Sequence, residues 1–63
     1  MMSLKLEPNL AAPDDVYEAL IKAHEGLSRE ESEALNARLV LILINQIGDP
    51  AVITRALEVA RTA

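Results

Sequence analysis

The sequence predicts an all-α protein of three helices, packed as a small bundle around the second. Three observations lead there. Apolar residues recur at helical spacing in three stretches, and capping residues, prolines or glycines punctuate each stretch. The apolar half of the chain is almost entirely Leu, Ile, Val and Ala, with Tyr17 as the one aromatic residue. That is material for helix packing, and it is poor in what lines a ligand pocket or a base-stacking platform.

The first helix is expected from about residue 13 to residue 25. Pro13 suits a first helical position, and Asp14 and Asp15 place negative charge at the positive end of the helix dipole. Val16, Leu20, Ala23 and Leu27 then recur on one side, bordered by Tyr17, Ile21 and His24. Gly26 follows as the residue expected to stop the helix in a Schellman arrangement, with Leu27 folded back onto Ile21.

The second helix is expected over 29–47. Ser28-Arg29-Glu30-Glu31 reads as a capping box, in which the serine hydroxyl accepts from the Glu31 amide and the Glu31 carboxylate returns to the serine amide. Gly48 ends the helix. Asp49-Pro50 supplies an N-cap and a first-turn proline together, so the third helix opens at once and runs over 50–62. Its apolar side is Val52, Ile53, Ala56, Leu57, Val59 and Ala60. Residues 1–12 are read as an arm preceding a single domain, 13–63. A short strand, an arm laid along a partner and a disordered lead-in are all open for it.

The second helix carries the functional argument, because it is apolar on two sides. Leu35, Leu39, Ile42 and Leu43 form one seam. Ala37, Val40, Ile44 and Ile47 form another, with Leu41 flanking it, and Glu31, Arg38 and Asn45 draw a polar line between them at seven-residue spacing. A helix apolar nearly all round must be buried. Flanking helices of about 20 Å enclose a helix of about 28 Å only if both lie flush against it. The two-residue joint Gly48-Asp49 suits a flush hairpin and a sharp corner equally. The second seam is therefore expected to meet another protein, with Ala37, Val40, Leu41, Ile44 and Ile47 as the interface. Asn36, Asn45 and Gln46 border the seams. Asn36 reads as an ordinary surface amide, while Gln46 suits surface and register control equally.

Size points the same way. A chain of 63 residues has a thin core of its own, and without cysteine neither a disulfide nor a thiolate metal site can reinforce it. Oligomerisation is the remaining support.

Chemistry is hard to find. His24 is the single histidine and lies at an apolar edge, where packing is the plain reading and a general base would lack a nucleophile and an orienting carboxylate. The glycines, Gly26 and Gly48, make no phosphate loop. No catalytic residue, cofactor, metal or small-molecule ligand is expected. A net charge of −4 disfavours nucleic acid and anionic membranes as partners. The longest apolar run, Leu39 to Ile44, is far short of the roughly 20 residues of a membrane span. With no apolar stretch of export-signal type near the start, a cytoplasmic location is expected.

Several segments also resemble a known family. They are Leu6-Glu7-Pro8-Asn9-Leu10, Pro13 through Ile21, Gly26-Leu27-Ser28, Ala34 through Leu41 and Ile47-Gly48-Asp49. Together they resemble the short bacterial proteins grouped as domain of unknown function 2783, over nearly the whole chain. The resemblance implies a standalone small bacterial protein and transfers no catalytic residue. It suggests an accessory or small-subunit role beside flavin-dependent enzymes of aromatic-compound breakdown. Ala12 departs from the pattern, which has an acidic residue before Pro13, and this weakens the cap of the first helix.

The leading expectation is a non-enzymatic association module, acting as a homodimer or as the small subunit of a larger protein. An accessory protein of an aromatic-catabolism enzyme is the second reading. A helix-turn-helix regulator is the weakest, because the third helix offers only Arg55 and Arg61 with Glu58 between them.

Overall fold

The computed structural model describes residues 3–63 and shows three helices in the predicted order: α1 (Pro13–His24), α2 (Arg29–Ile47) and α3 (Pro50–Thr62). Met1 and Met2 of the arm lie outside the described residues. Residues 3–12 are irregular and contain no strand.

Local chemistry accounts for most boundaries. At the start of α2 the capping box is complete: the Glu31 amide donates to Ser28 Oγ at 3.1 Å, and the Ser28 amide donates to Glu31 Oε1 at 2.8 Å. At the other end Gly48 takes the left-handed conformation, φ 73°, which glycine adopts without steric cost. Asp49 Oδ1 then accepts from the Ala51 amide at 3.0 Å and caps α3, with Pro50 in the first turn.

Two ends of α1 behave differently. Ala12 at its N-terminus has φ 50° and ψ 60°, left-handed, with no side-chain cap. For a residue with a Cβ this conformation costs about 1–2 kcal/mol, and a following proline restricts it further. The weak cap expected from Ala12 is thus a strained one. The C-terminal stop is not the Schellman arrangement that Gly26 suggested. Glu25 adopts φ −59°, ψ 133°, Gly26 follows at φ 75°, and the Leu27 amide donates to the His24 carbonyl at 3.2 Å. These angles and that bond define a type II β-turn over His24–Leu27. Glycine serves both motifs, so its position alone did not separate them.

Packing is open. Val52 is the one apolar side chain buried among the described residues. Ile53, Ala56 and Val59 on the same side of α3 are half-buried, as are Leu35, Leu39, Ile44 and Ile47 of α2. The radius of gyration is 13.4 Å and the extents are 39 × 25 × 23 Å. A compact domain of this length has a radius near 11 Å. The chain therefore spreads its helices without closing them round a core.

Candidate association surface

Each predicted interface residue has a definite place on α2. Ile44 and Ile47, toward the α3 joint, are half-buried. Ile47 and Val52 share a recess with Ser3, Leu4, Lys5 and Asn9, so the N-terminal arm lies over the α2–α3 joint. Ala37, Val40 and Leu41 remain exposed, Leu41 at 66%. The second seam is thus divided: its C-terminal part is taken up within the chain, and its middle is open.

The widest opening lies where the sequence placed less weight. Ile42, assigned to the first seam, is 64% exposed, on a par with Leu41. At 100° per residue, the unbroken apolar run Leu39–Ile44 distributes side chains round the full circumference of the helix. Leu39 and Ile44 are half-buried at either end of the run, while Leu41 and Ile42 flank a sector that α1 and α3 leave uncovered. Arg38 and Asn45 lie between them on that sector, both exposed. Asn36 and Gln46 are exposed as well.

The same openness extends to the flanking helices. Val16, Leu20 and Ile21 of α1 are between 41% and 48% exposed, and Leu57 of α3 is 61% exposed although it shares the apolar side of its helix. Altogether the chain has 5661 Å² of accessible surface. A compact monomer of its 6.9 kDa mass would have about 4,000 Å². The extended arm contributes part of the excess; the open leucines, isoleucines and valines contribute its apolar part.

Polar groups serve local structure. His24 Nδ1 and Ser32 Oγ are joined by a partly buried hydrogen bond of 2.8 Å, which ties the end of α1 to α2. Tyr17 is 65% exposed. The Glu31 carboxyl is held below its ordinary value by the Ser28 amide first and the Ser28 hydroxyl second. Ion pairs Glu18–Lys22, Arg29–Glu33 and Arg55–Glu58 all lie within single helices at the surface, where each contributes little. Among the described residues no three His, Asp or Glu side chains gather as a metal site, and no helix is long and apolar enough to cross a membrane.

No curated protein and no solved structure matches the chain. A family model described as a protein of unknown function, DUF2783, matches residues 4–62, covering all three helices and most of the arm. This chain belongs to that family.

Proposed function

We propose that this protein acts by association, as a small cytoplasmic bacterial subunit whose open apolar helix faces are closed by another protein chain. The carrying observation is the accessible surface of 5661 Å² in a 6.9 kDa chain in which Val52 is the one buried apolar side chain among the described residues. The excess over a compact monomer is roughly 1,700 Å², the extended arm included. A standard protein–protein interface takes about 800 Å² from each partner. Exposed leucines, isoleucines and valines on all three helices mark an interaction site or an aggregation liability, and a small domain without disulfides gains stability by having them covered.

The test is the mass of the purified chain in solution, together with affinity purification from its native host. A mass above that of one chain, or recovery of a defined stoichiometric complex, supports the reading. A monomer at high concentration that unfolds cooperatively and brings down no partner overturns it.

A further inference from the structure

The open sector of α2 has an internal symmetry that selects one occupant. Leu41 and Ile42 are its two large apolar side chains, and Arg38 and Asn45 stand equally far from their midpoint along the helix, Arg38 before and Asn45 after. Among the described residues Arg38 has no carboxylate partner, since the ion pairs use Lys22, Arg29 and Arg55. The Asn45 amide is likewise outside the side-chain hydrogen bonds of the chain. A guanidinium only donates, and an amide oxygen accepts. The two are complementary, but about 10 Å apart along one helix, seven residues at 1.5 Å each, so they cannot satisfy each other within the chain.

We propose that a second copy of this chain covers this face, with the two α2 helices antiparallel about a two-fold axis between Leu41 and Ile42. In that arrangement Leu41 meets the partner's Leu41 on one flank of the seam and Ile42 meets the partner's Ile42 on the other, and along the line between them Arg38 lies across from the partner's Asn45 at both ends. A parallel, in-register pair sets Arg38 against the partner's Arg38, which is repulsive. Reversing one helix removes that repulsion and supplies a hydrogen-bond acceptor. Polar groups placed beside an apolar helical seam set register and orientation in this way. Leu41 and Ile42 are also the most exposed large apolar side chains of α2, at 66% and 64%, so this face is the one with most to gain from being covered. This proposal rests on the association reading and narrows it to one partner.

Sedimentation of the chain alone should give twice the monomer mass of 6.9 kDa. Asn45→Arg sets like charges across both ends of the interface and should weaken the dimer at least tenfold. Adding Arg38→Glu should restore it, now in a salt-sensitive form, because each new glutamate faces a new arginine. A parallel dimer predicts the opposite, since the double variant then carries two like-charge contacts. Orientation has a second readout that works on weakened dimers, because the chain has no cysteine of its own. Chains carrying Arg38→Cys mixed with chains carrying Asn45→Cys should form the mixed disulfide, and neither variant alone should cross-link. Homodisulfides in each variant alone would overturn the antiparallel arrangement. A chain that is monomeric alone yet recovered in a complex with a different protein overturns the self-pairing and leaves the association reading standing. A cooperative monomer with no partner overturns both.

Discussion

His24 Nδ1 sits 2.8 Å from Ser32 Oγ, bridging the end of α1 and the first turns of α2 across the β-turn between them. Either the serine hydroxyl donates to the ring nitrogen or the ring N–H donates to the hydroxyl, according to the tautomer. The apolar side of α1 is only half covered, so this bond carries an unusual share of the docking of that helix. His24→Ala and Ser32→Ala should each destabilise the chain by about 1 kcal/mol. The double variant should cost little more than either single one, which a double-mutant cycle in urea measures. Hydrogen exchange should show the loss concentrated in α1.

The capping box makes a second prediction. Ser28→Ala removes the acceptor for the Glu31 amide and should cost about 1 kcal/mol. Because Glu31 is held below its ordinary value of 4.5, its charged form stabilises the folded chain. That contribution is fully present above 4.5 and disappears as pH falls through the depressed folded-state value. Glu31→Gln, which keeps an acceptor for the Ser28 amide, should flatten this part of the acid dependence. A thermal-melt series on both proteins between neutral and strongly acidic pH checks it.

Relief of strain at Ala12 should stabilise the protein. Glycine occupies φ 50° without a Cβ penalty, and asparagine tolerates it while offering a capping oxygen. Ala12→Asn should raise stability by about 1 kcal/mol. Ala12→Gly should gain less, because the unfolded chain also becomes freer.

Core and surface leucine-class residues should separate cleanly. Val52→Ala deletes two methyl groups from the one apolar side chain buried among the described residues and should cost about 2 kcal/mol. Leu57→Ala, on the same helix but 61% exposed, should cost under about 0.5 kcal/mol in an isolated chain. A cost above that at Leu57 would show that a partner covers α3 as well. Denaturant titration at two protein concentrations distinguishes the cases, because association makes stability concentration-dependent.

What the sequence by itself determined is the set of helices and nearly all their ends. Ser28 with Glu31, and Gly48-Asp49-Pro50, act through atoms within a few residues of one another, so their effect is readable from order alone. The sequence also contained the apolar surplus on α2, since the run Leu39–Ile44 leaves no polar side to turn outward. Tertiary structure alone decided where that surplus lies open. Periodicity cannot rank the two apolar sides of a helix divided by only a narrow polar line. The path of the chain after Gly48, and of the arm before Pro13, settles which side is taken. Ser3, Leu4, Lys5, Asn9 and Val52 share a recess with Ile47, Ile44 is half-buried, and Leu41 and Ile42 are left facing outward. The end of α1 is a matter of backbone path too: a glycine with positive φ fits a Schellman stop and a type II turn alike, and the extended ψ of Glu25 with the hydrogen bond from the Leu27 amide to the His24 carbonyl distinguishes them.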